Sequence, residues 1–161
     1  MSASSRAGFT MLELLAVMLV VAILATIAVP SVADRIVMSQ VSDGLTLTAF
    51  VKSAVQAEYT LTQKFPVNNV EVSLPPSDHI VSNVVADIAV QNGAINITFG
   101  NQANPRIRRH VLTLRPAVVP NYPQVPITWV CARAPVPTNM VVNGTDLTDL
   151  PNGELPFICR G

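Results

Sequence analysis

The sequence predicts an α+β fold: one long N-terminal helix, apolar in its first half, whose second half packs on an antiparallel sheet of about four strands. Three observations predict it. Residues 9–32 form an apolar run interrupted by a single charge, Glu13. The run passes through Pro30 into a stretch where apolar residues recur at helical spacing. Beyond Pro75-Pro76, short alternating runs separated by turn formers read as strands.

The chain length of 161 residues suits one compact body plus a membrane segment. Hydrophobic residues make up 50% and charged residues 12%, with the apolar excess concentrated in the first third, as in a membrane span attached to an ordinary globular body. Ten Lys+Arg balance ten Asp+Glu, so the overall charge gives no reason to expect nucleic acid or anionic lipid as the main partner. The two cysteines, Cys131 and Cys159, are expected to be oxidised if the body lies outside the cytoplasm, and to be two buried thiols if it does not.

Taken in order, Met1–Gly8 is short and polar with one positive charge, Arg6. Phe9–Val32 would extend roughly 36 Å at about 1.5 Å per residue, enough to cross a hydrocarbon core of about 30 Å. Arg6 ahead of the span places the N-terminus on the cytoplasmic side and the body outside. The apolar run leads into more helix and not into a small-x-small cleavage site, so the span is expected to be retained. Pro30 removes a backbone hydrogen bond and should kink or weaken the helix.

Beyond it, Leu47, Phe50, Ala54, Ala57 and Leu61 recur at spacings of three and four and are expected to face the sheet, with Thr48, Lys52, Gln56 and Gln63 opposite. Phe65-Pro66 ends the helix at about Gln63, although two helices broken near Gly44 fit the same text. Residues 68–83 read as a surface loop. Val84–Val90 and Ala94–Phe99 flank Asn92-Gly93, a pair that supplies the positive φ angles of a tight hairpin turn. Val111–Leu114 and Ile127–Cys131 complete the strand candidates.

Glu13 is the anomaly of the apolar run, because a carboxylate inside a membrane helix costs about 2.5–3.5 kcal/mol and usually has a partner or a task. On spacing alone it reads as an interfacial residue snorkelling to the headgroups. The stretch Gly8-Phe9-Thr10-Met11-Leu12-Glu13, followed by an apolar run containing Pro30, resembles the processing and assembly signature of type IV pilins and their pseudopilin relatives. The resemblance implies that a prepilin peptidase cuts between Gly8 and Phe9 and methylates the new Phe9 amine. It also implies that Glu13 of one subunit pairs with the Phe9 ammonium group in the filament core, two costly charges becoming tolerable together. The short leader and the phenylalanine after the cut resemble the type IVa class. Ala22 stands where many members carry a helix-breaking glycine, so local melting between Ala22 and Pro30 is less expected here. The implied organisation is a leader over 1–8, a transmembrane and filament-core helix over 9–32, and a globular head over 33–161.

The C-terminal part carries a second resemblance. Ile127-Thr128-Trp129-Val130-Cys131 and the return from Leu150 to Cys159 are similar to the family's tryptophan-cysteine strand and its proline-rich approach to the second cysteine. This implies a Cys131–Cys159 disulfide closing the C-terminal loop, a bridge of roughly 3–4 kcal/mol for a loop of this size. Without the bridge the loop is expected to be mobile. Such loops lie on the filament surface, which makes this one a candidate for contact with receptors or neighbouring subunits; a purely structural staple is an equal reading.

No catalytic constellation, metal-ligand spacing or cofactor motif emerges. His79 and His110 stand apart from each other and from the cysteines, and there is no phosphate loop or nucleophile motif. An enzyme is not expected. Asn96-Ile97-Thr98 and Asn143-Gly144-Thr145 match the N-glycosylation pattern, which carries little weight if the source is a bacterium, as the resemblance implies. Arg106, Arg108 and Arg109, with His110, form the one basic cluster, which either grips DNA phosphates or is a solvated loop.

The expectation is a structural subunit of a type IV pilus, a homopolymer serving adhesion, twitching motility or DNA uptake. Its partners would be the prepilin peptidase, the assembly machinery of the inner membrane and, at the surface, DNA or receptors. It would wait in the inner membrane as a single-pass protein before moving to the extracellular pilus. The alternatives are a minor competence pilin that binds DNA and a type II secretion pseudopilin, the latter disfavoured by the disulfide-closed loop.

Overall fold

A computed structural model describes residues 9–161, except for the side chains of residues 27–31. The chain divides into two units at Arg35/Ile36. Helix α1 spans Met11–Leu47 and so belongs to both. Over residues 11–26 it is apolar apart from Glu13 and Thr26: Met11, Leu12, Leu15, Leu19 and Leu24 are each more than half exposed. A helix of this kind needs cover from lipid or from other chains. Among the described residues no helix is long and apolar enough to cross a membrane. The span expected over 9–32 includes 27–31, whose side chains lie outside the description, and the leader over 1–8 lies outside it altogether.

The second unit begins with the end of α1 and continues through α2, Ala49–Thr62. Five strands follow: β1 Val85–Gln91, β2 Ala94–Phe99, β3 Val111–Val118, β4 Thr128–Cys131 and β5 Val141–Val142. The sheet order is β1-β2-β3-β4, all antiparallel, with β5 pairing β3 as well.

The helices lie on the sheet through a stripe of small and β-branched residues: Val37, Val41, Gly44, Thr48, Val51 and Val55 are all buried. This corrects the expected face. Phe50 is 46% exposed and Leu61 81%, and Ala57 is exposed too. The true stripe lies one residue further along, a rotation of about 100°. The expected stripe favoured the largest apolar side chains, but close packing favours small ones here: a Cβ on Gly44 would come within 2.8 Å of the Phe99 ring. Gly44 therefore sits inside α1, and the interruption falls at Thr48. There Thr48 N donates to Leu45 O at 3.2 Å, and the buried hydroxyl donates to the same carbonyl at 2.7 Å.

The end of α2 matches expectation. Gln63 adopts a left-handed φ of 57° and its N–H reaches Tyr59 O. The Asn92-Gly93 turn also forms, with φ of 49° and 80°. Strand β3 is four residues longer than expected, because Pro116 does not end it. Pro116 lies opposite Trp129 of β4, and its carbonyl accepts from Asn143 N at 2.9 Å. The loop over 68–83 contains two single 3-10 turns, Val70–Val72 and Ser77–His79. Its Asn69 closes the open edge of β1, donating to Ile88 O at 3.1 Å and accepting from Val90 N at 2.6 Å, as a further strand would.

Candidate functional site: the helix start and the C-terminal loop

Thr10 and Glu13 together begin α1. The Thr10 hydroxyl accepts from Glu13 N at 3.2 Å and the Thr10 carbonyl from the same N–H at 3.1 Å, so Thr10 caps the first turn. Glu13 lies in that turn, where the helix dipole favours a carboxylate, and its side chain is exposed. Phe9 is exposed beside it. Among the described residues no amine pairs with Glu13, and Gly8 lies outside them.

Cys131, the last residue of β4, is bonded to Cys159 with Cα atoms 4.7 Å apart. The loop they bound is more than tethered. It lies across the face of the sheet opposite the helices, where a polar row receives it. Thr113 of β3, fully buried, donates its hydroxyl to Asn96 Oδ1 of β2 at 2.8 Å and accepts from Leu147 N at 3.0 Å. Thr113 N donates to Thr148 Oγ1 at 3.0 Å. Asp149 accepts from Val111 N at 2.6 Å and returns a backbone bond to Val111 O at 3.2 Å. Asn143 Nδ2 reaches Asn92 O at the hairpin turn, and Arg133 reaches Leu150 O at 3.0 Å. Leu150 and Leu155 are fully buried, so the loop adds apolar side chains to the core.

The arginine cluster is divided by these contacts. Arg106 forms an ion pair with the buried carboxylate of Glu154 in the C-terminal loop. The Arg108 guanidinium folds back on Ala103 O at 3.0 Å. Arg109 is exposed at a left-handed φ of 70°, its N–H bonded to Phe99 O. Two of the three guanidinium groups thus have intramolecular work. The sequons are similarly engaged, since Asn96 is buried and Asn143 Nδ2 is bonded to Asn92 O.

His79 pairs with its neighbour Asp78 at 2.8 Å, and His110 Nδ1 lies 3.2 Å from Asp149. Among the described residues no group of three His, Cys, Asp or Glu could hold a metal ion. Lys52, expected to face away from the sheet, lies with its ammonium 5.8 Å from the centre of the Trp129 ring, a cation–π geometry. Burial lowers its pKa from the ordinary value of 10.5. Sequence reasoning missed Asn69, Thr113 and Lys52, because each acts on a partner distant in the chain. Only the unusual placement of Asn and Thr beside apolar residues could have marked the first two.

A family model described as pilin, a bacterial filament protein, matches residues 37–156, and a model of the prokaryotic N-terminal methylation motif matches residues 3–29. The chain is 31% identical over 159 residues to a type IV major pilin protein PilE1 of Neisseria gonorrhoeae, covering 95% of this chain and 86% of that one. It is 30% identical over 125 residues to a type IV major alpha-pilin of Moraxella bovis, covering 68% and 79%. A fimbrial protein EcpC of Eikenella corrodens is 33% identical over 93 residues, covering 56% and 61%.

Proposed function

Since the chain belongs to the type IV pilins, structural and non-enzymatic subunits of bacterial filaments, we propose that it is the main subunit of a type IV pilus. The observation that carries this reading is the stretch 11–26 of α1, whose large apolar side chains Met11, Leu12, Leu15, Leu19 and Leu24 are all exposed. Before assembly that helix is held by the inner membrane, with the N-terminus cytoplasmic. The prepilin peptidase cuts after Gly8 and methylates Phe9, and the assembly machinery draws the subunit into the polymer.

Burying the helices against one another then replaces lipid by protein. Lipid tails are as apolar as the helix side chains, so this exchange takes no apolar surface out of water and gains little, and polar pairing sets the register. Glu13 supplies it by pairing with the Phe9 amine of a neighbour. Adhesion, twitching motility by retraction and DNA uptake are activities of the finished filament. Receptors or DNA meet the surface that the globular units present.

The test is to shear filaments from the native cells and determine the intact mass and N-terminal peptide of the dominant small protein. A chain beginning at methylated Phe9, two hydrogens short for the disulfide, is the expected result. Absence of this chain, or its presence only in traces, would overturn the main-subunit reading.

A further inference from the structure

The globular unit carries an apolar cleft and an apolar projection on opposite edges of its sheet. The cleft, of about 540 Å³, is lined by Asp43, Thr46, Leu47 and Phe50 of the helices and by Asn83 and Val84, which lead into β1. Its floor is mostly carbon, and Phe50 on its wall is 46% exposed. The projection is Phe157-Ile158, 87% and 73% exposed, in the 3-10 turn that ends at Cys159 and packs against β4. In the order β1-β2-β3-β4 these are the two outer edges.

Two adjacent large apolar side chains held out in water by a rigid turn are costly unless a partner covers them, by about 1.5–3 kcal/mol for each side chain fully buried. The turn cannot fold them inward. Cys159 is fully buried in the bridge to Cys131, and Arg160 fixes the turn through Leu155 O at 2.8 Å. We infer that Phe157-Ile158 of one subunit seats in the Leu47/Phe50/Val84 cleft of a second copy of this chain. The charges agree, because Asp43 borders the cleft and Arg160 follows the projection. The symmetry agrees as well. A contact joining one edge of a subunit to the opposite edge of the next is heterologous, and repeated heterologous contacts that do not close into a ring build an open helical polymer. This contact rests on the filament reading and gives the globular units a share in it, beside the helices.

The experiment replaces Phe157 with the photo-crosslinking residue p-benzoylphenylalanine in cells that assemble filaments, irradiates sheared filaments, and identifies the joined peptides by mass spectrometry. Dimers joining position 157 to residues 43–50 or 82–84 of another copy are expected. Filaments whose crosslinks fall elsewhere, or that give no dimer, would overturn the contact while leaving the filament reading in place. If filaments fail to form with the probe at 157, the probe moves to Phe50. There a crosslink to the peptide containing 157–158 supports the contact, and any other pattern overturns it. Natural chain that forms no filaments at all overturns both readings.

Discussion

The two faces of the sheet are held by different chemistry. On the helix face, Phe99, Ile97 and Ile95 of β2 and Leu112 and Leu114 of β3 meet a stripe of valines and Gly44, with no side chain left exposed. On the other face, Ala94, Asn96 and Thr113 meet the C-terminal loop through hydrogen bonds and close backbone approach, a Cβ on Gly144 coming within 2.5 Å of Ala94. The helix face derives its strength from area removed from water, which is insensitive to the identity of any one polar group. The loop face depends on each buried donor having its acceptor, so small changes there fall on specific bonds.

The largest effect is expected on the helix face. Phe99→Ala removes the ring packed under Gly44 and should lower stability by about 3–5 kcal/mol, read by urea unfolding of the detergent-extracted subunit. A loss below about 1 kcal/mol would mean that the helices do not press on β2 as described. Next comes the covalent tie on the loop face. Replacing Cys131 and Cys159 together by Ser should cost about 2–4 kcal/mol. The loop was expected to become mobile without its bridge, but the bonds from Thr113, Val111 and Arg133 predict otherwise. Hydrogen exchange at Leu147 and Asp149 should stay slow in the double variant while exchange near Phe157 quickens. Uniformly fast exchange across residues 132–158 would show that the bridge alone holds the loop.

The smallest change separates the faces most clearly. Thr113→Val keeps the shape but leaves Leu147 N and Asn96 Oδ1 without their partner, at a cost of about 1–3 kcal/mol. The same hydroxyl removal at exposed Thr60, whose hydroxyl bonds only its own helix at Gln56 O, should be nearly silent. Equal costs at both sites would remove the distinction between the faces.

Much of this was legible in the sequence because it was local. Asn92-Gly93 adopts its turn whatever lies above it, since few residues tolerate two successive positive φ angles. Phe65-Pro66 follows the helix end as Pro chemistry requires, and the bridge joins the only two cysteines. The misread parts were set by contacts between distant segments. Leu47 does pack against the core as expected, but the rest of the helix face was misassigned because Phe50 and Leu61 are more hydrophobic than Gly44 and Thr48, whereas the distance to Phe99 selects the smaller residues. Strand β5 has two residues and exists only because Ala117 and Val118 offer it an edge. The arginines looked like one patch in sequence, yet Arg106 turns to Glu154, forty-eight positions along the chain.

By itself, then, the sequence determined the elements whose cause lies within a few residues: the apolar helix with Glu13 near its start, the hairpin turn and the pair of cysteines. Tertiary structure alone decided which side of the helix is buried, how the C-terminal loop is fastened and which charges are already paired. Those outcomes depend on distances between segments far apart in the chain, and a residue's own chemistry limits them without choosing among them.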